Sequence, residues 1–503
     1  MKNHKKYILN PDYLLRSDIK RVFLVSTEIL RGPQFIEKST DSAHFTIHPF
    51  YAIILSSFDG NTLEETINKV VYNLDINKDL VTSFVSKLIE NESTIEYVLN
   101  SETYYLPPYT IVEYQEYMPI KKYKISDFAI QEIDITSPRY YLPLDLTLML
   151  NNVCVTDCIY CYVDKRKLYQ TSIPFERIKE LIKEARSLNM RSFEVIGGEF
   201  FLYKYWRELL YELTINNFNP FISTKIPINE DDIKTLKEVG INDLQISLDS
   251  MIEGNLVKIL KVNKSYINRM KQTFDNLEKY NIKVRVHTIL TNKNKDIKDI
   301  KSIIQFLSKY TNIVDLRIDN ANYSMYKNNF EDIRISISDI ESIVKYLNNI
   351  KKENNLSFKI SNPEIHPFHK IPEMTTEQKY NNFKTRSACS GNLSAFFILP
   401  DGKVTICEEI YWHPTFILGD VKSQNIEEIW QSKKAVELFN IEKNKISSES
   451  ICYSCEEFTQ CHDYLHVCWK DVIATYGEEK WDYPDPACPK APSINEKMFL
   501  PYK

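Results

Sequence analysis

Several features that would place this 503-residue sequence among membrane, secreted or nucleic-acid-binding proteins are missing from it. No window approaches the roughly 18 uninterrupted apolar residues of a membrane-spanning helix, and the N-terminal stretch MKNHKKYILNPDYLL lacks the sustained apolar segment of a secretory signal. Lys and Arg number 63 against 68 Asp and Glu, which gives a net charge of −5 and indicates no basic binding face. We therefore expect a cytoplasmic protein whose partners are neither a membrane nor a nucleic acid.

Cysteine is absent from long stretches of the chain and concentrated in two regions. Three of the ten cysteines are Cys154, Cys158 and Cys161; none follows until Cys389, and the remaining seven end at Cys488. Thiols stay reduced in the cytoplasm, where clustered cysteines bind metals or do chemistry more often than they form disulfides. The distribution therefore predicts two metal-binding regions.

Residues 1–115 contain short strand-like stretches followed by amphipathic helices. Helices are indicated for YAIILSSFDGNTLEETINKVV and for KDLVTSFVSKLIEN, the latter with Leu80 on its apolar stripe. Small strands followed by three short helices describe a winged-helix module. The second helix lacks the cluster of Arg and Lys that DNA binding requires. Residues 116–140 are expected to form a linker.

Residues 141–340 alternate apolar runs with amphipathic segments such as FERIKELIKEARSLN. About six strands that alternate with helices indicate parallel βα units, closed or partly closed into a barrel, and hence an α/β fold. The runs are YLPLDLTLML, SFEVIGGE, FISTKI, DLQISLDS, KVRVHTILT and IVDLRIDN. Chemistry in such barrels collects at the C-terminal ends of the strands, and the first cysteine group directly follows the first run.

Residues 389–490 are irregular and rich in cysteine. Asp401-Gly402 indicates the turn of a hairpin within SAFFILPDGKVTICEE. Residues 341–388 are interpreted as a bridging region and residues 491–503 as a tail, and the sequence assigns no role to either.

Three closely spaced thiolates are soft donors that suit zinc or the iron of an iron–sulfur cluster. A closed zinc site needs four ligands, whereas the first group offers three cysteines with no histidine or fourth cysteine nearby in the sequence. An iron–sulfur cubane held by three thiolates keeps its fourth iron open for a substrate or cofactor. A zinc site that borrows a distant ligand is the alternative.

The pattern Cys154-x3-Cys158-x2-Cys161, with the aromatic Tyr160 before the last cysteine, resembles the signature of the radical S-adenosylmethionine (SAM) superfamily. The resemblance implies that the three cysteines hold a catalytic [4Fe–4S] cluster whose fourth iron chelates SAM, with Tyr160 at the cofactor. Reduction of this cluster would cleave SAM to methionine and a 5′-deoxyadenosyl radical. The resemblance also implies a partial (βα)6 barrel, which matches the six runs.

The stretch VIGGEFF after the second predicted strand resembles the Gly-Gly-Glu motif of the same superfamily. By this resemblance Gly197 and Gly198 would let the backbone approach the ligand, and Glu199 would pair with the ammonium group of SAM. A plain strand-ending turn is the alternative for such a short motif.

Three further residues are candidates for the cofactor site. In QISLDS, at the fourth strand, Ser247 and Asp249 lie where the superfamily often binds the ribose hydroxyls. Alternation along a strand directs the two to one face, although a mutually satisfied pair at the barrel mouth would show the same pattern. Thr224, which ends the third strand, is a candidate of the same kind.

The second cysteine region resembles the SPASM extension of radical SAM enzymes, which commonly holds two auxiliary [4Fe–4S] clusters. The nearer cluster would be ligated by Cys389, Cys407 and Cys468. The outer cluster would be fully ligated by Cys452, Cys455, Cys461 and Cys488. The alternative is a zinc ribbon built from Cys452, Cys455 and two later cysteines.

The spacing departs from the SPASM pattern at one point. Six residues separate Cys461 from Cys468, where the family usually has three, so His462 or His466 is an alternative ligand. Three cysteines leave the nearer cluster with an open iron or a non-cysteine ligand, and in peptide-modifying relatives an open site can take a substrate cysteine. Glu408 occupies the position at which some relatives carry a catalytic acidic residue that removes a proton; a solvated hairpin carboxylate is the plainer interpretation.

Residues 1–115 resemble the RiPP recognition element, a winged-helix fold related to the pyrroloquinoline-quinone peptide chaperone. The resemblance rests on IHPFYAIILSSFDGNTLEETINKVV followed by a final helix. In that fold a leader peptide adds as an extra strand to the small sheet, where backbone hydrogen bonds give affinity and side-chain pockets give selectivity. The implied partners are a precursor peptide and a flavodoxin- or ferredoxin-type electron donor.

The sequence therefore predicts a radical SAM/SPASM peptide maturase that abstracts a hydrogen atom from its substrate and forms a cross-link. A thioether to cysteine is the favoured bond, and a carbon–carbon link is a variant. Two other functions stay open at this point. One is maturation of another enzyme, such as oxidation of a sulfatase-type Cys or Ser to formylglycine. The other is a DNA-binding regulator whose clusters sense oxidation.

Overall fold

The division of the chain falls close to residue 142. The computed structural model describes residues 5–27, 44–89, 91–99, 102–322, 324–327, 330–353, 356–363, 375–385, 388–462 and 467–492. They belong to two units, Met1–Leu142 and Pro143–Lys503. None of the helices within these described ranges is long and apolar enough to cross a membrane.

The first unit consists of short strands and, in its described part, three α-helices. The strands are β1 (Lys6–Leu9), β2 (Tyr13–Ser17), β3 (Val22–Ser26), β4 (His44–Ile47), β5 (Asp59–Thr62), β6 (Ile95–Leu99), β7 (Glu102–Leu106) and β8 (Ile111–Glu113). The helices are α1 (Pro49–Ser56), α2 (Leu63–Leu74) and α3 (Lys78–Leu88), and a 3-10 turn covers Ile125–Phe128. The strands form antiparallel sheets in the orders β5-β1-β8, β2-β3-β4 and β6-β7.

The last helix of the first unit differs from the expected pattern in its buried face. α3 buries Val81, Val85 and Leu88, which recur every three or four residues and so share one face of the helix. Leu80, expected on that stripe, is 69% exposed, because one residue of an α-helix turns the side chain by about 100° away from its neighbour. The prediction was wrong for Leu80, and α3 carries an apolar side chain in solvent.

The segment 116–140, expected to be a linker, packs into the first unit. Phe128 is fully buried in the core of that unit. The buried carboxylate of Asp18 accepts hydrogen bonds from the backbone N–H groups of Tyr141 (3.1 Å) and Leu142 (2.8 Å). A buried carboxylate without such donors would be costly, so these contacts hold the two residues that directly follow the segment in place. The segment is therefore part of the fold.

The second unit begins with six strands that alternate with helices. The strands are β9 (Asp145–Met149), β10 (Ser192–Ile196), β11 (Ser223–Thr224), β12 (Asp243–Ser247), β13 (Lys283–Leu290) and β14 (Ile313–Asn320), and a short β15 (Lys359–Ile360) follows. The helices are α4 (Phe175–Ser187), α5 (Trp206–Ile215), α6 (Glu230–Glu238), α7 (Glu253–Leu260), α8 (Tyr266–Lys279), α9 (Ile297–Leu307), α10 (Phe330–Ile333) and α11 (Ile337–Glu353). All six apolar runs form strands, so the predicted α/β class is confirmed.

The C-terminal region continues with shorter elements. Its strands are β16 (Ala395–Ile398), β17 (Lys403–Thr405) and β18 (Gly419–Asp420). Its helices are α12 (Thr376–Thr385), α13 (Ile426–Trp430), α14 (Lys433–Phe439), α15 (Ile451–Ser454), α16 (Phe458–Gln460) and α17 (Trp469–Tyr476). β16 and β17 form the predicted hairpin, in which Gly402 adopts a φ of +89° that favours glycine.

The strands of the second unit form two sheets. One has the order β10-β9-β16-β17-β18, and the other has the order β11-β12-β13-β14-β15. β16 pairs in parallel with β9 along the edge opposite β10, so the cysteine-rich region continues the first sheet. In the described residues no ladder joins β10 to β11, which leaves the parallel strands open there. The carboxyl ends of parallel strands share an edge, and the candidate site residues follow these ends.

We expect Phe128→Ala to lower the free energy of unfolding by about 3–5 kcal/mol, because it removes a fully buried aromatic side chain from the core. Chemical denaturation of the full chain measures the effect. Tyr117→Ala is the matched control, since Tyr117 lies in the same segment but is 82% exposed, and we expect a change within about 0.5 kcal/mol. Equal effects of the two substitutions would contradict the assignment of this segment to the core.

Candidate active site

The first cysteine group lies on a loop that leaves the end of β9, here called the cysteine loop (residues 151–164). The Thr156 hydroxyl lies 3.2 Å from Cys154 Sγ and 3.4 Å from Cys158 Sγ. The backbone N–H of Cys161 donates to the carbonyl of Cys158 (3.1 Å), so the main chain turns between these two cysteines. Cys158 is buried and the other two cysteines are half-buried. The structure thus places the thiols of Cys154 and Cys158 on either side of one hydroxyl, with Cys161 on the same loop.

The cysteine loop is anchored from two sides. The backbone N–H groups of Asp157 and Ile159 donate to carbonyls at the end of α7, at 3.0 and 2.9 Å, and so satisfy groups that a helix terminus leaves free. Lys327 Nζ donates to the carbonyl of Cys158 (2.7 Å) and lies 3.3 Å from the Asp157 carboxylate. These contacts fix the backbone of the loop independently of any ligand.

The Gly-Gly-Glu stretch forms a second loop at the end of β10, against the cysteine loop. The N–H of Gly198 donates to the carbonyl of Asn151 (2.8 Å), and the side-chain amide of Asn151 donates to the carbonyl of Glu199 (3.1 Å). A Cβ atom on Gly198 would lie 2.2 Å from the carbonyl oxygen of Val153, whereas one on Gly197 would meet Asn151 at 3.2 Å. Gly198 is therefore required by the approach of one loop to the other.

Glu199 is 3% exposed, and its carboxylate is held by the neighbouring strand end. It accepts hydrogen bonds from the Thr224 hydroxyl (2.8 Å) and from the backbone N–H groups of Phe201 (3.2 Å) and Lys225 (3.4 Å). Burial raises the pKa of Glu199, and these donors oppose that effect. Thr224, a candidate cofactor residue in its own right, is here a partner of Glu199.

Asp249 lies in a cluster that the sequence only partly indicated. The Tyr160 hydroxyl donates to the Asp249 carboxylate, and Lys225 Nζ lies 3.0 Å from the same carboxylate and 2.7 Å from the Tyr160 oxygen. The other carboxylate oxygen of Asp249 accepts from the N–H of Ile289 (2.9 Å). Both oxygens of Asp249 are thus engaged within the protein, by partners other than Ser247. Ser247 is buried at the end of β12.

Seven cysteines of the C-terminal region line two cavities. The first cavity, of about 60 Å³, is lined by Cys389, Cys407 and Cys468 together with His462. The second, of about 50 Å³, is lined by Cys452, Cys455, Cys461 and Cys488, again together with His462. The cysteines divide between the cavities in the way that the resemblance implied, with Cys468 at the first. His466 lies outside the described residues.

Glu408 directly follows Cys407, at the end of the hairpin, and is half-buried. Burial, followed by the negative charge of Glu409, raises the pKa of Glu408 to about 7. The charge of Glu408 is the first cause of the raised pKa of Tyr162, to which Cys161 and Cys407 also contribute. Tyr162 therefore lies within electrostatic range of Glu408, Cys161 and Cys407.

The chemistry of these thiols fits iron–sulfur clusters. Burial raises the pKa of Cys407 to about 12 and that of Cys452 to about 11. Such thiols are neutral on their own and become thiolate ligands when a cation compensates their charge. Within the described part of the chain, no three His, Cys, Asp or Glu side chains form a group that could hold one metal ion. The cysteines instead surround cavities, which suits a multi-iron group.

Two family models match the chain at the places where these groups lie. The radical SAM superfamily matches residues 148–307, and the iron–sulfur cluster-binding SPASM domain matches residues 389–456. The chain contains a radical SAM domain and a SPASM domain. The first match runs from β9 to the end of α9 and includes both loops described above. Iron–sulfur clusters and SAM are the cofactors of these domains.

Individual relatives and solved structures are also similar to this chain. The sporulation killing factor maturation protein SkfB of Bacillus subtilis is 27% identical over 158 residues, which are 31% of this chain and 38% of SkfB. A GTP 3′,8-cyclase of Clostridium perfringens is 26% identical over 187 residues, 34% of this chain and 53% of the cyclase. The crystal structure of Streptococcus suis SuiB bound to its precursor peptide SuiA has a TM-score of 0.62 at 14% identity and covers 96% of this chain and 99% of SuiB. The chain thus has the fold of SuiB. Its sequence match spans about two fifths of the length of SkfB and about half of the length of the cyclase.

Two residues of the site escaped the sequence analysis. Asn151 joins the two loops, and Lys225 joins Tyr160 to Asp249. The only sequence signal for them was their position at a strand end. Asn151 lies two residues beyond the end of β9, and Lys225 directly follows β11. Both act through partners that are distant in the sequence.

We expect Gly198→Ala to reduce the iron that the protein binds on anaerobic reconstitution and to lower its unfolding temperature, because the added Cβ would clash with the carbonyl of Val153. Gly254→Ala is the matched control, since a Cβ at Gly254, within α7, meets nothing within 4 Å. Iron analysis and thermal unfolding of both variants measure the effect. A Gly198→Ala variant with native iron content and native unfolding temperature would contradict the close approach of the two loops.

Proposed function

We propose that the protein is a radical SAM enzyme that binds the leader of a ribosomally made precursor peptide and forms an intramolecular thioether in that peptide. The observation that carries the proposal is the grouping of thiols within the second unit: three on the cysteine loop beside the Gly-Gly-Glu loop, and seven around two cavities. The fold likeness to SuiB, crystallised with its precursor peptide, supports a peptide substrate. The similarity to the maturation protein SkfB agrees with it.

The cofactors are assigned to residues by their chemistry. Cys154, Cys158 and Cys161 would hold the catalytic cluster, and Glu199 would meet the ammonium group of SAM. When SAM is bound and a flavodoxin- or ferredoxin-type donor reduces the cluster, the cluster and SAM together supply a 5′-deoxyadenosyl radical. This radical takes a hydrogen atom from the peptide. Thr224 positions Glu199 through its hydroxyl hydrogen bond.

The first unit is proposed to bind the leader. In its described residues β6 and β7 form a two-stranded sheet, so each strand has an outer edge that a peptide strand can join. Val98 on β6, Tyr105 on β7 and Leu80 on α3 carry exposed apolar side chains. Edge pairing would supply affinity, and apolar side chains of this kind would supply selectivity for the leader sequence.

The first cavity and Glu408 are proposed to serve formation of the thioether. Joining carbon to sulfur removes a hydrogen atom from the carbon, and a proton and an electron from the thiol. Three cysteines at the first cavity leave one position of a cubane for the substrate sulfur. Glu408, which directly follows Cys407 of this cavity, would accept the proton, and the SPASM clusters would accept the electron.

Anaerobic reconstitution with the peptide encoded beside the chain's own reading frame tests the proposal. We expect that peptide to lose two hydrogen atoms per link in mass spectrometry, and a core Cys→Ala peptide to lose none. Deletion of the leader should abolish modification because the first unit then has no strand to bind. Unchanged mass with an iron-loaded enzyme, or zinc without iron and sulfide in anaerobically purified protein, would overturn the proposal.

We expect Glu408→Gln to slow thioether formation by about 10²-fold, the usual contribution of a positioned proton acceptor. Cleavage of SAM to 5′-deoxyadenosine should persist, since Glu408 does not take part in it. Glu437→Gln is the matched control, because Glu437 is exposed on α14, where it lies 3.6 Å from Lys433. Chromatography of 5′-deoxyadenosine beside mass analysis of the peptide separates the two steps, and equal losses in both variants would contradict a special role for Glu408.

A further inference from the structure

The sheet that contains β12, β13 and β14 has one buried face and one face that is only partly buried. Along β13 buried residues alternate with less buried ones, and Arg285, His287 and Ile289 belong to the second set. Alternate residues of a strand lie on opposite faces, so these three share the less buried face. The ladder sets Ser247 of β12 and Arg317 of β14 beside His287, so both lie on that face as well.

This part of the sheet borders the candidate active site. Ser247, one of the candidate cofactor residues, is the ladder neighbour of His287. Two residues further along β13, the N–H of Ile289 donates to the Asp249 carboxylate (2.9 Å), which also accepts from the Tyr160 hydroxyl of the cysteine loop. The ends of β13 and β14 are therefore connected to the cysteine loop through Asp249.

Asp319 joins the side chains of His287 and Arg317. One oxygen of its carboxylate lies 2.9 Å from His287 Nε2 and 2.6 Å from Arg317 Nε. The side chain of Arg317 is nevertheless 37% exposed, and that of Asp319 is 31% exposed. Among the residues that the structure describes, the two Nη atoms of Arg317 and the second carboxylate oxygen of Asp319 have no partner. The pair thus keeps both donors and an acceptor available to a ligand.

Arg285 lies on the same face and is paired in a different way. Its Nε lies 3.0 Å from the Asp243 carboxylate and its Nη1 lies 2.6 Å from the Asp315 carboxylate. Two acids of the neighbouring strands therefore engage the guanidinium of Arg285, which ties β12, β13 and β14 together. Arg317 contacts one acid only, through Nε, so its terminal nitrogens are not used in holding the sheet.

The free groups of Arg317 and Asp319 suit an uncharged ligand. The two charges balance within the pair, so neither an anion nor a cation gains a net attraction, and the free oxygen of Asp319 repels an anion. A peptide amide group has one N–H donor and one carbonyl acceptor. The free Asp319 oxygen can accept the first, and an Nη of Arg317 can donate to the second, and hydrogen bonds of this kind to charged groups are the stronger ones.

We propose that Arg317 and Asp319 bind a main-chain amide group of the substrate peptide and so orient its core segment beside the cysteine loop. The inference rests on the proposed function, which supplies the peptide and the radical. The first unit, through the leader, provides most of the affinity, whereas Arg317 and Asp319 fix the position of the bond that is attacked. A core held less firmly still permits SAM cleavage but brings its C–H bond within reach of the radical less often.

The test measures the cross-linked peptide formed per 5′-deoxyadenosine by the full chain, reconstituted anaerobically and supplied with the peptide encoded beside its reading frame. We expect Arg317→Met and Asp319→Asn each to lower this ratio about tenfold, the effect of losing one hydrogen bond to a charged group. The KM for the peptide should change little, because the leader sets it. Arg334→Met is the matched control and should keep the native ratio, since Arg334 is half exposed and pairs with Glu331 outside this cluster.

A second arm of the experiment uses the native enzyme. The amide bonds that flank the modified residue are replaced one at a time by esters, which removes an N–H and keeps a carbonyl. We expect one ester to lower the ratio with the native enzyme and to cause no further loss with Asp319→Asn, because the missing N–H is the partner of the Asp319 oxygen.

A native ratio in folded Arg317→Met, or native processing of every ester peptide, would overturn the inference. Weaker binding of SAM to the variants in the absence of peptide would also overturn it, because the pair would then belong to the cofactor site. A native enzyme that forms neither 5′-deoxyadenosine nor cross-linked peptide would instead refute the proposed function.

Discussion

The close approach of two strand-end loops is the constraint on which the candidate site depends. β9 and β10 pair in parallel and in register, so the segments that follow them must leave the same edge side by side. The N–H of Gly198 donates to the carbonyl of Asn151, and no side chain fits between Gly198 and Val153. The cysteine loop and Glu199 are thereby fixed relative to each other by backbone contacts. A site built in this way is organised before any cofactor binds.

Paired charges then complete the site at the ends of the next two strands. Glu199 and Asp249 are buried carboxylates, and isolated burial of either would be costly. Thr224 and the backbone N–H of Lys225 hold Glu199, while the side chain of Lys225 holds Asp249. Two adjacent residues at one short strand end thus supply hydrogen-bond partners to both acids.

Local patterns in the sequence were sufficient for the strands and for the grouping of the thiols. All six parallel strands lie in segments rich in apolar residues, and the close spacing of the first cysteines places them on one loop. Contacts between distant residues were not predictable in this way. The parallel pairing of β16 with β9, the contact of Asp18 with Tyr141, and the ion pair of Lys225 with Asp249 each depend on a partner far away in the sequence. Neither periodicity nor composition encodes such a partner.

The two cavities account for the long spacing between Cys461 and Cys468. Cys461 lines one cavity and Cys468 the other, so the two cysteines belong to different cavities rather than to a single site. The buried Asp485 connects Cys468 of the first cavity to Cys488 of the second. Its carboxylate accepts a hydrogen bond from the N–H of Cys468 (2.9 Å), and its carbonyl accepts one from the N–H of Cys488 (2.8 Å). His462 lines both cavities, so the two groups of cysteines are connected through His462 as well as through Asp485. A change in this spacing would therefore disturb both cavities together, even though the cysteines of each are otherwise separate.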